Sequence, residues 1–220
     1  MLARVLEPEV MDTPADARDY DAMDHSAVNA TFAADFLARW DGSGMVLDVG
    51  TGTAQIPIEL CRRHPSIFVA AVDLADEMLT LARQNIERAG FGERIQLTRL
   101  DAKWLPYHPG AFGAVVSNSI IHHIADPAST FAGMHAVCAA GGLLFVRDLF
   151  RPADEATLQR LVATYAAGCN PHQTQLFADS LRAALTVDEV RELVGRLGYA
   201  AETVRATSDR HWTFAAARLA

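Results

Sequence analysis

Two apolar patterns alternate along the chain. Short, nearly continuous apolar runs suit strands buried on both faces, and stretches with apolar residues every three or four positions suit helices packed against them. Runs at 45–49, 67–73, 94–100 and 112–117 read as strands. Helices over 53–63 and 75–89 separate the first three, and Gly90 closes the second helix. Pro57 falls early in its helix, where a missing N–H is tolerated. A helix over 127–139 ends at Gly141-Gly142, and a fifth strand follows at 143–149. Upstream, Phe32, Phe36, Leu37 and Trp40 recur at helical spacing and predict a helix over 26–40. Residues 1–19 read as a loose lead-in, so that 1–40 forms an N-terminal helical cover.

The rhythm breaks after the fifth strand. Residues 153–185 carry two helical stretches around AGCNPHQTQ, a helical insert or lid. Thr186 followed by Glu189 is a capping box for a helix that ends at Gly195–Gly198. The closing AETVRATSDRHWTFAAARL reads as two strands divided near 208–210. Strand–helix alternation with short joins is the doubly wound α/β pattern, one domain over 1–220.

Right-handed crossovers place every strand's C-terminal end on one face. Asp48, Asp73, Asp101, Asn118 and Asp148 all fall at or just beyond those ends, lining a common crevice. Gly50 and Gly52 follow the first strand, where positive φ and close ligand approach are useful. The helix starting near Thr53 points unpaired N–H groups at whatever lies above the turn, and Asp73 is placed to accept from a ribose. The dinucleotide fingerprint Gly-x-Gly-x-x-Gly fails at Gln55. Asp48 would repel a pyrophosphate and attract an ammonium. A ligand with a cationic amino-acid end and an adenosine end satisfies both facts, which disfavours a dinucleotide-dependent oxidoreductase.

Composition narrows the classes further. Half of the 220 residues are apolar, enough for a large core, and no run of 18 apolar residues occurs. The start MLARVLEPEVMD has acids where a secretory leader would be apolar, so a cytoplasmic chain without membrane insertion is expected. A net charge of −8 argues against nucleic acid. Cys61, Cys138 and Cys169 are widely spaced, without a Cys-x-x-Cys. No His-x-His or His-x-x-x-His occurs, and adjacent His122 and His123 diverge on a regular helix, so no metal is expected.

The segments VLDVGTGTAQ, VAAVDLADEML, LDAKWLPY, FGAVVSNSIIHHIADP and GGLLFVRD resemble those of class I S-adenosylmethionine-dependent methyltransferases. The flavour is that of the small-molecule, ubiquinone/menaquinone C-methyltransferase-like group, whose tyrosine–aspartate segment YDAMDH at 20–25 resembles. The resemblance implies a Rossmann-like doubly wound seven-stranded sheet, mostly parallel with an antiparallel C-terminal strand and helices on both faces. It implies S-adenosylmethionine as cofactor and methyl transfer by direct displacement. Asp48, Gly50 and Gly52 would line the methionine moiety, with Tyr20 nearby. Asp73 would accept from the ribose hydroxyls, and Leu74 would flank the adenine. Asp101 and the Ala102 N–H would meet the adenine edge, and the Asn118 carbonyl the methionine part. The family often has a glycine where this chain has Ala54.

A hydroxyl, phenol or acidic-carbon acceptor needs a base. The candidates are His123, Asp148 and His211, with His122 behind them. Arg147 is a candidate for holding an anionic substrate. Partners are expected to be a small-molecule methyl acceptor, with the chain a monomer or homodimer. The alternatives are non-methyl sulfonium chemistry on the same scaffold and a non-catalytic cofactor-binding partner protein.

Overall fold

The computed structural model describes residues 2–7 and 12–219, Asp16 by its backbone alone. Seven strands form one sheet: β1 (Val46–Val49), β2 (Val69–Asp73), β3 (Ile95–Arg99), β4 (Phe112–Asn118), β5 (Cys138–Leu149), β6 (Val204–Ala206) and β7 (His211–Ala217). Their order is β3-β2-β1-β4-β5-β7-β6. All neighbouring pairs are parallel up to β5, and β7 runs antiparallel to both β5 and β6. The order reverses between β1 and β4, the position where this architecture opens a crevice beyond the strand ends.

Alternation along each strand feeds two cores. Val46, Ala114, Val116 and Phe145 face one side with Phe32, Phe36, Ile58 and Leu60. These come from helices α2 (Ser26–Leu37) and α3 (Gln55–Arg63), and α4 (Asp76–Ala89) adds Ala82 and Ile86. Leu47, Val49, Val115 and Val146 face the other side, where α5 (Ala128–Val137) supplies Phe131 and Met134 and α8 (Val187–Gly195) supplies Val190 and Val194. Helices α6 (Glu155–Tyr165) and α7 (Pro171–Ala183) close a third cluster around Leu158, Leu161 and Leu181.

Two boundaries differ from those read in the sequence. Part of the expected loose lead-in is helix α1 (Pro14–Asp21); residues 1 and 8–11 of that lead-in lie outside the described residues. Proline is well placed in a first helical turn. An eight-residue helix is too short to hold itself, and α1 is held by burying Ala17 against Ala75 and Met78. The second difference is at Gly141-Gly142, which does not terminate α5. That helix ends at Val137, and Cys138 already pairs with Phe112. The glycines lie inside β5 at a register shift, with Gly141 at φ +77° and with a Cβ on Gly142 reaching 2.6 Å from the Gly113 carbonyl. Glycine serves here as a strand irregularity.

Candidate active site

Above β1 the chain makes a tight reversal. The Gly50 and Thr51 amides both donate to the Val72 carbonyl, at 2.8 and 2.9 Å. Gly50 has φ +76°, and a Cβ there would lie 2.2 Å from Cγ2 of Ile120. Ala54 adopts φ 64°, a region that costs an L-residue about 1–2 kcal/mol. Ser119, just past β4 on the facing lip, has φ 59°. The two strained non-glycine residues thus sit on either side of the topological switch point, where strain commonly marks function.

Asp73 organises this edge. Its Oδ2 accepts from the Gly52 amide at 2.7 Å and its Oδ1 from the Ala75 amide at 2.9 Å. One oxygen therefore holds the glycine turn and the other starts α4. A carboxylate retains acceptor capacity beyond two such bonds. Asp101 lies at the next strand end, accepting from the Lys103 amide at 2.9 Å and pairing with Lys103 Nζ at 3.1 Å.

These residues border a cleft of about 760 Å³, counting its open mouth. Tyr20, Gly50, Gly52, Asp73, Leu74, Asp101, Ala102, Asn118 and His123 all line it. Met78, Leu100, Ile120 and Ile124 complete an apolar wall that sequence reading did not assign. For Leu100 and Ile120 the signal was only an apolar residue one or two places past a strand end, and Met78 and Ile124 lie farther along, in α4 and after the histidine turn, where core packing also puts apolar residues. Tyr20 reaches the cleft from α1, its ring 5.0 Å from that of His25. Burial and the surrounding carboxylates push its hydroxyl up to about 12.

Asp48 departs from the expected lining. It is 1% exposed, beneath the turn, and its Oδ2 has no hydrogen-bond partner. Burial pushes its carboxyl up to about 7, with the Asp73 charge acting in the same direction and the Thr51 hydroxyl opposing. An unsatisfied buried carboxylate below a cleft whose rim supplies Asp73 and Asp101 suits a ligand with an ammonium at one end and a ribosyl-adenine at the other. By that measure the residues present fit S-adenosylmethionine.

The catalytic candidates separate. His122 and His123 lie on a single 3₁₀ turn, Ile121–His123. Asp148 is 1% exposed, lies outside the cleft lining and is fully engaged. It accepts from the Ile121 amide (2.6 Å), the His122 amide (3.2 Å), the Leu149 amide (2.6 Å) and His122 Nδ1 (2.6 Å). Burial opposes charge on His122, but Asp148 and then Glu7 outweigh it and raise the imidazole pKa. A carboxylate so occupied orients the turn and has no access to an acceptor. Arg147 points to the opposite face of the sheet, where it binds Asp35 at 2.6 Å and Thr213 at 2.8 Å. His211 also lies outside the cleft lining, beside Ser208, whose hydroxyl is 2.9 Å from Nδ1. Burial and the Arg210 charge push His211 down to about 4.

Sequence reading missed the segment ahead of α1. Arg4 donates to the carbonyls of Ala183, Ala125, His122 and Ile124 at 2.6–3.3 Å. The Val5 amide donates to Arg182. This strap brings the buried carboxylate of Glu7 to 3.5 Å from His122 Nε2 and 3.2 Å from His123 Nδ1. Nothing in the local sequence around Glu7 signals a contact with residues more than a hundred positions away.

Residues 46–142 match the family model described as "Methyltransferase domain". A malonyl-[acyl-carrier protein] O-methyltransferase of Geobacter sulfurreducens is 33% identical over 189 residues, 83% of this chain and 66% of that protein. A ubiquinone/menaquinone biosynthesis C-methyltransferase of a Geobacter species is 28% identical over 51% of this chain and 48% of its own length. The chain thus spans between about half and two thirds of the length of these curated relatives. A structure from Methanococcus maripaludis, assigned as an S-adenosyl-L-methionine-dependent methyltransferase, shares the fold with TM-score 0.75 and 17% identity over 98% of both chains. Sheet order, cleft and family match together place the chain among the class I S-adenosylmethionine-dependent methyltransferases. Among the described residues no helix is long and apolar enough to cross a membrane.

Proposed function

We propose that the protein transfers a methyl group from S-adenosylmethionine to a small-molecule acceptor. The observation that carries this reading is the buried, unpartnered Oδ2 of Asp48 under a cleft rimmed by Gly50, Gly52, Asp73 and Asp101. The cofactor supplies a methyl group already activated on a sulfonium, open to direct displacement. The chain's own residues bind, orient and exclude water. Asp48, buried outside the cleft lining, would act on the ammonium through its charge, Asp73 would take the ribose hydroxyls, and Leu74 with Ala102 and Asp101 the adenine. Gly50 lets the Ile120 side chain pack directly on the turn, and the Asn118 carbonyl would meet the methionine part. Alignment of acceptor and methyl is the main demand on the protein.

His123 is the candidate base, since it alone of His123, Asp148 and His211 lines the cleft. Asp148 is a positioning residue that fixes the histidine turn. Helices α6 and α7 form the acceptor cover. His172 of α7 binds Asp19 of α1 at 2.8 Å, and Gln173 donates to the Asp19 carbonyl at 3.0 Å, one residue before Tyr20. Tyr165 of α6 donates to Asp209 in the β6–β7 turn at 2.9 Å. The insert therefore joins α1 to the closing hairpin.

Calorimetry with S-adenosylhomocysteine, followed by product analysis with candidate acceptors, tests the proposal. Binding of S-adenosylhomocysteine and methylated product support it. Binding of NAD in its place, or cofactor fragments without a methylated product, overturns it.

A further inference from the structure

Three potential metal ligands converge beside the cleft without belonging to its cofactor end. One atom each from Glu7, His122 and His123 lies within 4.8 Å of both others. The side chains are 8%, 4% and 16% exposed. The two histidine rings are 4.2 Å apart and tilted by 34°, and each brings a ring nitrogen to Glu7 Oε1. Adjacent histidines diverge on a regular α-helix. On the tighter 3₁₀ turn observed here they converge.

The donors have the electronic character of a coordination sphere. His122 Nδ1 lies 2.6 Å from Asp148 Oδ1, and with its proton there Nε2 presents a lone pair toward Glu7. Glu7 Oε1 is buried and accepts no regular hydrogen bond. His123 Nδ1 approaches the same oxygen. A carboxylate–imidazole pair behind a ligating histidine is the usual outer-shell support, fixing tautomer and ring orientation. Zinc–nitrogen and zinc–oxygen bonds near 2.1 Å put neighbouring tetrahedral donors about 3.4 Å apart. The observed 3.2 and 3.5 Å bracket that spacing. The positive charge opposing a cation is Arg4, whose guanidinium is committed to backbone carbonyls.

The geometry points to a divalent transition-metal site formed by Glu7, His122 and His123, supported by Asp148, with an open position adjoining the cleft. Two imidazoles and one carboxylate leave coordination room, as in catalytic rather than structural zinc sites. His123 is shared between the cluster and the cleft wall, so a ligand at the open position lies on the acceptor side, and in the metal-bound chain His123 serves as a ligand in place of the base role. Resting on the methyl-transfer reading, this names an acceptor class: a small molecule presenting a coordinating oxygen or sulfur.

The test uses the full chain, stripped with a chelator and titrated with Co²⁺ and then Zn²⁺. One equivalent of Co²⁺ giving d–d absorption, displaced by Zn²⁺, is expected. Glu7→Gln and His123→Ala should each weaken binding by more than the roughly 10- to 100-fold that losing an outer-shell partner costs. Circular dichroism checks that each variant remains folded, and S-adenosylhomocysteine affinity checks it for Glu7→Gln, which lies outside the cleft lining. No stoichiometric binding to the native chain overturns the site, and marks the cluster as a hydrogen-bonded latch for the strap. Binding unmoved by either variant overturns it equally, as adsorption to other histidines. Native chain that binds S-adenosylhomocysteine but no metal loses only this inference; metal binding without S-adenosylhomocysteine binding leaves the site and removes the methyl-transfer reading.

Discussion

At the scale of single residues, Asp48 makes the sharpest prediction. Its folded-state carboxyl sits near 7, against an ordinary value of 3.8. The folded, ligand-free protein therefore holds this proton more tightly than the unfolded chain. The associated stability is full below pH 4 and is lost as pH rises through 7, on the order of 4 kcal/mol. A bound ammonium reverses the preference, because it stabilises the ionised form. Cofactor affinity should rise from pH 6 to pH 8, with close to one proton released per binding event at pH 6. Calorimetry in buffers of different ionisation enthalpy measures that release. Asp48→Asn should bind weakly and show no such pH dependence; an unchanged pH profile in the variant would exclude the ammonium contact.

Asp73 carries two duties, so its removal should show in two measurements. Loss of a charged acceptor costs roughly 1.5–3 kcal/mol per bond type, which predicts about a 10- to 100-fold loss of cofactor affinity for Asp73→Ala. Because Asp73 also binds the Gly52 and Ala75 amides, the ligand-free protein should lose stability as well. Sequence reading alone places Asp73 at an exposed strand end and gives no reason to expect the second effect. Equal melting temperatures for variant and parent would contradict the bracing role.

At the scale of elements, the histidine turn, the strap and the insert form one mechanical group. Arg4 ties the strap to both the turn and the end of α7. Arg4→Ala should free residues 2–7, speed proteolysis of that segment and leave the Asp73 edge intact. Limited digestion combined with S-adenosylhomocysteine titration reads both; coupled loss of cofactor affinity would show that the strap supports the cofactor end instead. Much of the element order was legible because parallel strands are continuous apolar runs and Thr186–Glu189 is a local cap. Helix α1 was not legible, since its eight residues bury little beyond Ala17 and depend on α4. The start of β5 at Cys138 was hidden because Gly141-Gly142 has the same local signature at a helix end and at a strand irregularity. Asp48, Asp73 and Asp101 could be placed at strand ends from sequence, but burial of Asp48 and the arrival of Glu7 are products of tertiary packing.

At the scale of the whole molecule, ligand binding should register as global stability. At a ligand concentration of 100 Kd the linkage contribution is about 2.7 kcal/mol. For a chain of this size that corresponds to a melting-temperature rise of roughly 5–10 °C. The rise should be larger at pH 8 than at pH 6, because Asp48 then enters the complex already ionised. A scan with S-adenosylhomocysteine at both pH values checks the sign, and the reverse order would contradict it.

The sheet order carries a consequence for how copies of this chain meet. Its two borders are β3 and β6, and every strand between them has a neighbour on both sides. The border strand β6 is three residues long with Arg205 outward, and β3 exposes Gln96, Thr98 and Arg99. Short, charged borders resist continuation of a ladder from one molecule into the next. Continuation of the sheet from one copy into the next is therefore disfavoured, and a concentrated solution of the folded chain should not acquire the extended-strand signature of fibrils.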